Sequence, residues 1–277
     1  MKLKKILPAS IGMVLLFIKK QKYIPNLINP KRFTEKLLYI KFHKTNYKLR
    51  CLITDRIKVR KYVQNISSEI LFPEIYWHGY NISQKQWDTF PDFFVLKANH
   101  GSGNIRFIDK SKYTINSINE IIKKWSSQSY DEKGYEWYYD DLEKYSIVEQ
   151  FISQNQNHLP CDFKFFCFNG KVKFVNVYFD RGEDLSVTCF DRNFLTYNHL
   201  LWNKTKNKTI PKPSNWDSII KIVEKISTEF DFIRIDCYVE NEILYFSELT
   251  NISGNACFEI EKKVDCLIGS FLDLKRG

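Results

Sequence analysis

Apolar and polar positions alternate along this chain in two registers, and the switches between them mark its elements. Runs of period two predict short strands at Phe93–Ala98 (FFVLKA), 105–108 and 146–152 (SIVEQFI). The clearest strand pair is Asp162–Phe168 and Lys171–Phe179, joined by Asn169-Gly170, because Asn-Gly between alternating runs favours a two-residue turn. A second pair is expected at 232–239 and 243–249. Helical spacing takes over elsewhere. Thr34-Glu35 opens a helix carrying Leu37, Leu38, Ile40 and Lys41, and further helices are expected over 55–63 and 116–128. Ser214 or Asn215 caps another that carries Ile219, Ile220, Val223, Ile226 and Phe230. Pro73 and Pro91 bracket a stretch around Trp77 and Trp87 that reads as loop-rich. At the amino terminus Leu3, Ile6, Leu7, Ile11, Val14, Leu15 and Ile18 recur at helical spacing. Neighbouring strands that pair through turns, mixed with a few helices, give the class α+β.

Composition adds scale. The 277 residues are 44% hydrophobic and 27% charged, and 16% are aromatic, so the chain has material for a sizeable core. The seven cysteines (Cys51, Cys161, Cys167, Cys189, Cys237, Cys257, Cys266) form no C-x-x-C pair and sit mostly among apolar residues, as reduced cytosolic thiols do. The net charge of +10 reads as a general richness in Lys, Asn, Ile and Tyr. With no zinc-finger spacing, no RNA-recognition motif and no long basic run, a nucleic-acid partner is not expected. The apolar stretch from Ile6 to Ile18, flanked by lysines, is shorter than the roughly 20 residues that span a bilayer, and no small-x-small cleavage site follows it. A helix packed on the protein and a helix lying on the inner face of the membrane both stay open.

Four groups of residues suggest chemistry. Lys97 ends an apolar strand and is followed by His100-Gly101-Ser102-Gly103, a loop whose bare backbone would accept a phosphate or merely turn a hairpin. Around Asn169-Gly170, a regular two-residue turn sets Lys164 opposite Val175 and Phe166 opposite Lys173. Asp162, Lys164, Lys173 and Arg181 then share one face, which suits a triphosphate or is a solvated sheet face. Arg234 and Asp236 lie on one strand, with Glu248 and Thr250 on the next. A three-residue loop, Glu240-Asn241-Glu242, would put Asp236 and Glu248 on one face, where hard oxygen ligands suit Mg²⁺. Arg234 would then stand opposite Glu248, and an ion pair without metal is the alternative. Finally, Glu149, Gln150, Phe151 and Ile152 form a strand end able to meet an adenine edge, or an ordinary buried strand.

Taken in order, these segments resemble ATP-grasp enzymes, and the stretches NPKRFTEKL, TDRIKVRKYV, FVLKANHGSG, DFKFFCFNGK, RIDCY and SELT are similar to the TupA-like branch, over roughly residues 24 to 269. The chain departs from the family pattern at Asn104, directly after the glycine loop, and at Asn251-Ile-Ser-Gly254. The resemblance implies an ATP-grasp fold, two α+β lobes gripping ATP with a helical amino-terminal segment. After the basic amphipathic helix over 1–22 that the spacing predicts, it implies an N-terminal domain over 23–92, a small lobe with the glycine loop over 93–148, and a large lobe with the metal site over 149–277. ATP would be bound by Lys97, the 100–103 loop, residues 149–152 and Lys164. Mg²⁺ would be bound by Asp236, Glu248 and Thr250, and Arg181 would stabilise the transferring phosphoryl group. The implied reaction is carboxylate–amine ligation through an acyl phosphate, in a cytoplasmic enzyme acting on an acidic sugar or polysaccharide precursor and an amine. A glycosyltransferase of the same pathway is the first rival, although Asp140-Asp141 is no Asp-x-Asp. A non-catalytic module binding acidic glycan or membrane is the second.

Overall fold

A computed structural model describes residues 8–101, 103–128, 134–139, 141–153, 160–179, 185–200 and 208–274. Ser102 and Arg181 of the expected site, and Leu3, Ile6 and Leu7 of the expected first helix, lie outside the described residues.

Two antiparallel sheets organise the chain. The first has the order β1-β4-β2-β3, from β1 (Ile75–Gly79), β2 (Phe93–Ala98), β3 (Ile105–Asp109) and β4 (Ser146–Gln150). The second has the order β7-β6-β5-β8-β9, from β5 (Asp162–Phe168), β6 (Lys171–Phe179), β7 (Ser186–Asp191), β8 (Phe232–Glu240) and β9 (Ile243–Thr250). The helices are α1 (Ala9–Gln21), α2 (Phe33–Phe42), α3 (Tyr47–Thr54), α4 (Lys58–Ile66), α5 (Gln84–Thr89), α6 (Ile115–Ser126), α7 (Trp216–Ser227) and α8 (Lys262–Gly269). None of the described helices is long and apolar enough to cross a membrane. The α+β class read from the strand and helix pattern is the class observed.

Alternation along the second sheet decides where the core stops and the polar floor begins. On one face, Phe163, Phe165, Val175, Val177, Ile233 and Ile235 pack against Trp216, Ile219 and Val223 of α7 and Val59 and Val63 of α4. The other face changes character along its length. At the turn end it is apolar, with Phe166, Phe168, Phe174 and Phe232 packed on Phe33 of α2. Two residues further along each strand it becomes charged or polar, with Lys164 opposite Asp236 on one side and Asn176 on the other. One strand periodicity therefore buries a core and builds a polar surface.

Both hairpins depart from the expected register, each by one bulged residue. At Asn169-Gly170 the two-residue turn forms, with φ of 47° and 77°. Pairing then shifts between Phe166 and Cys167, so that Phe166 faces Phe174 and Lys164 faces Asn176 rather than Val175. Lys173 is the extra residue; it is exposed and does not share the face of Lys164. At the second hairpin the loop is two residues, not three. Asn241 and Glu242 both take positive φ, 50° and 63°, and Glu240 pairs with Ile243. A bulge at Ser247 restores the parity that this loop would have broken. Asp236 stands directly opposite Glu248, and Arg234 opposite Thr250 rather than Glu248. The shared face of Asp236 and Glu248 is as expected, but the bulge produces it. The stretch between Pro73 and Pro91 is also more regular than expected, since it holds β1, paired with β4, and α5.

Candidate functional site

The polar half of the second sheet carries a linked set of charges. The Lys164 ammonium donates to Asp236 and lies 2.9 Å from Asp162 Oδ2. Arg234 grips Asp236 with both arms of its fork, Nε to Oδ1 and Nη2 to Oδ2, each at 2.7 Å. The same Nη2 donates to Thr250 Oγ1 at 2.9 Å and lies 3.5 Å from Glu248 Oε1. Arg56 closes the set, with Nη2 3.1 Å from Glu248 Oε2. Asp236 and Lys164 are buried, whereas the Glu248 side chain keeps 31% of its exposure and opens into a cleft. Burial opposes charge on Asp236, but Arg234 and Lys164 outweigh it and hold the carboxyl far below the usual range. Burial likewise opposes charge on Glu248, and Arg56, with smaller help from Lys164 and Arg234, still leaves its pKa lowered.

The first sheet contributes a second cluster. Lys97 is buried on β2 and pairs with Glu149 of β4, whose other oxygen receives Arg60 Nη2 at 2.8 Å. The sequence treated Lys97 and Glu149 as separate features, a phosphate ligand and part of an adenine-binding strand end. The sheet register makes them neighbours, because Val95 is the direct partner of Glu149 and Lys97 lies one diagonal step away. The Gln150 amide donates to the Glu74 carbonyl at 2.8 Å and so is spent on the sheet edge. Phe151 meets Phe107 edge-on at 5.7 Å, and Ile152 is buried.

The glycine loop joins β2 to β3 as a hairpin tip, closed by the Ala98 amide on the Asn104 carbonyl at 3.0 Å. Gly101 and Gly103 have φ of 81° and 82°, the left-handed region that side chains disfavour. A Cβ at Gly103 would meet nothing within 4 Å, so conformation rather than crowding calls for glycine there. His100 is buried and turned to the end of α6, where Nε2 meets the Trp125 carbonyl at 2.9 Å. Burial lowers its pKa and favours the neutral ring. It ties the loop to α6. Asn104 reaches Gln128 Oε1 at 3.2 Å in the same region.

Arg56, which the sequence marks only as one cation in a charged run, ties the two sheets together. Asp55 Oδ1 accepts the amides of Ile57 and Lys58 at 2.9 and 3.0 Å, which starts α4 and fixes Arg56 in the turn before it. From there Arg56 Nε donates to the Ala98 carbonyl at 2.9 Å, at the root of the glycine loop, while Nη2 holds Glu248 of β9. Arg60, four residues on, faces the same way and holds Glu149. That spacing of two arginines was visible in TDRIKVRKYV; what they reach across to was not. The cleft is lined by Arg56, Gly101, Arg234, Glu248 and Thr250, with Glu136 and Tyr139 from the 134–139 segment.

No group of three His, Cys, Asp or Glu side chains able to hold a metal stands together among the described residues. Mg²⁺ does not need one, since it commonly takes one or two carboxylates and leaves the rest of its shell to phosphate and water. Asp236 Oδ1 accepts from Arg234 Nε, which leaves it lone-pair capacity, and Glu248 faces the cleft, so two oxygen donors are able to serve. The donor chemistry fits a hard divalent cation beside a nucleotide phosphate.

The sequence profile of the TupA-like ATP-grasp family matches residues 35–273. No curated protein matches this chain in sequence. Among solved structures, the chain is similar to D-alanine–D-alanine ligase from Bacillus anthracis, at 16% identity and a TM-score of 0.49 over 79% of this chain and 62% of that one. The Helicobacter pylori ligase gives 12% identity and a TM-score of 0.47 over 88% and 70%. Phosphoribosylglycinamide synthetase from Anaerococcus prevotii gives 13% and 0.41 over 79% and 48%. The chain covers 54% of the ATP-complexed Bacillus anthracis ligase, about half its length. With the profile running through both sheets and every described residue of the charged cleft, the chain belongs to the TupA-like ATP-grasp family.

Proposed function

We propose that this protein is an ATP- and Mg²⁺-dependent carboxylate–amine ligase. The observation that carries the reading is the facing pair Asp236 and Glu248, linked to Arg56, Lys164 and Arg234, with Glu248, Arg56 and Arg234 lining one cleft and Asp236 and Lys164 buried beneath it. In the proposed reaction a substrate carboxylate oxygen bonds to the γ-phosphorus of ATP as the β–γ bridging bond breaks, giving an acyl phosphate and ADP. The amine nitrogen then bonds to the acyl carbon, phosphate leaves, and the amine gives up a proton. Mg²⁺ would neutralise phosphate charge, held by Asp236 and Glu248 with Thr250 beside them. Lys97 and Lys164 would each exchange a carboxylate partner for a phosphate, and the amides of the 100–103 loop, Ser102 included, would cover the phosphates. Residues 149–152 would flank the adenine, and Arg181 would meet charge as the phosphoryl group moves. These groups act by position and electrostatics, which is most of what phosphoryl transfer asks of a protein.

The finer reading is that the carboxylate is a uronic acid of a capsule or O-antigen precursor and the amine an amino acid, joined in the cytoplasm where ATP is available. Tyr139 and Glu136 in the cleft wall suit a sugar, with an apolar ring face and a hydroxyl acceptor. The test is ADP release with Mg²⁺, a uronic acid and an amino acid. The expected result is turnover that needs all three. ADP released equally without any carboxylate, or glycosyl transfer from a nucleotide sugar, would refute it.

A further inference from the structure

The net charge is not spread along the chain. The first 34 residues hold eight basic residues and no acidic one, while the remaining 243 hold 34 basic and 32 acidic. A compositional bias, the sequence-based reading of this charge, would not gather nearly all the excess into one segment. That segment contains α1, whose inner face is firmly seated. Phe17 is fully buried and stands edge-on to Tyr23 at 5.3 Å, and Gln21 Nε2 holds the Phe258 carbonyl at 2.6 Å. At Gly12, a Cβ would fall 2.2 Å from the Tyr135 hydroxyl. The rotation of the helix is therefore fixed.

Its outer face should be polar if water were its only neighbour. Instead Ile11 and Leu15 are 46% and 49% exposed, one turn apart. Just beyond the helix, Ile24 and Ile28 are 79% and 90% exposed. The loop that carries Ile28 is not slack: Asn26 Oδ1 accepts the amides of Ile28 and Asn29 at 3.1 and 2.9 Å, and the Asn26 amide is held by Glu35 of α2. Lys19, Lys20, Lys22 and Lys31 are exposed on the same segment.

We infer that α1 and the loop after it form a docking surface for an anionic lipid bilayer, with Ile11, Leu15, Ile24 and Ile28 entering the interface and the lysines meeting headgroup phosphates. The charge decides for this occupant. A second copy of the chain would bring the same lysines against each other, whereas an anionic surface attracts every one of them. The inner face of the helix touches Tyr135, next to the cleft-lining Glu136, so α1 would stand between a docked bilayer and the segment that walls the cleft. The inference does not depend on the proposed reaction.

The test is sedimentation of the full chain with vesicles of phosphatidylcholine alone and of phosphatidylcholine with added phosphatidylglycerol. Binding is expected to the second and not the first, weakening as salt rises. Lys19→Gln and Lys22→Gln should each lower partitioning about fivefold. The pair Ile11→Asp with Leu15→Asp should lower it by more than about tenfold, with an unchanged melting temperature because both sites are exposed. No binding to anionic vesicles, equal binding to both, or a dimer in sedimentation equilibrium that Leu15→Asp dissociates would each overturn it.

Discussion

Asp236 and Glu248 face each other across one strand pair, yet their surroundings give them different work. Asp236 is 1% exposed and receives three hydrogen bonds from Arg234 and Lys164, so it ties these charges together, and in the proposed reaction it would also offer an oxygen to a metal. Removing its charge leaves Lys164 with Asp162 and Arg234 with Thr250 and the more distant Glu248, so the loss should fall below the roughly 3–5 kcal/mol of a buried cation left with no partner. Asp236→Asn is thus expected to lower the urea midpoint as well as abolish turnover. Glu248→Gln should abolish turnover with little change in that midpoint, because Glu248 is partly exposed and Arg234 keeps its grip on Asp236. A Glu248→Gln variant that turns over normally would remove Glu248 from the metal site. The same residues set the acid response. Both folded carboxyls titrate below their unfolded values of about 3.9 and 4.3. Their stabilisation is therefore complete above that range and declines as pH falls through the lower folded values. Urea midpoints should be level from about pH 7 to 5 and fall below about pH 4, and Glu248→Gln should flatten part of the fall. An unaltered acid limb in that variant would show that Glu248 carries no such linkage.

At the scale of elements, bulges matter more than turns. If Ser247 is the extra residue of β9, its deletion leaves Glu248 opposite Asp236, and the variant should fold and still bind Mg²⁺·ATP in calorimetry. A folded deletion variant that has lost the nucleotide would contradict the bulge. The sequence showed the two hairpins because Asn169-Gly170 and Asn241 announce left-handed backbone. It showed Lys97, Lys164 and Asp236 because a charge inside an apolar strand asks for a partner. It could not show the bulges, since nothing in VKFVNV or LYFSEL separates a regular ladder from one with a residue to spare. Nor did it show α3 or Arg56. The short α3 has a mixed pattern in which Arg50 is buried against the Phe232 and Asn251 carbonyls, and burial drops its pKa to about 10. Arg56 sits in a charged run that reads as a solvated face until the second sheet is brought beside it.

At the scale of the whole molecule, two sheets are joined over a charged cleft, and Arg56 touches both, at the Ala98 carbonyl and at Glu248. Each cation of the cleft now has a carboxylate partner, so an incoming triphosphate must win those cations by offering more negative charge. In the proposed reaction that exchange, with Mg²⁺ compensating the freed carboxylates, would favour a triphosphate over a nucleotide of lower charge. The melting temperature of the full chain with ATP and Mg²⁺, with ATP alone, and with a UDP-sugar and Mg²⁺ distinguishes a Mg²⁺·ATP site from a nucleotide-sugar site. ATP with Mg²⁺, at about a hundred times its Kd, should raise the melting temperature by about 5–10 °C, with a smaller rise for ATP alone and none for the UDP-sugar. Equal shifts with ATP and the UDP-sugar, or no shift with ATP and Mg²⁺, would contradict it.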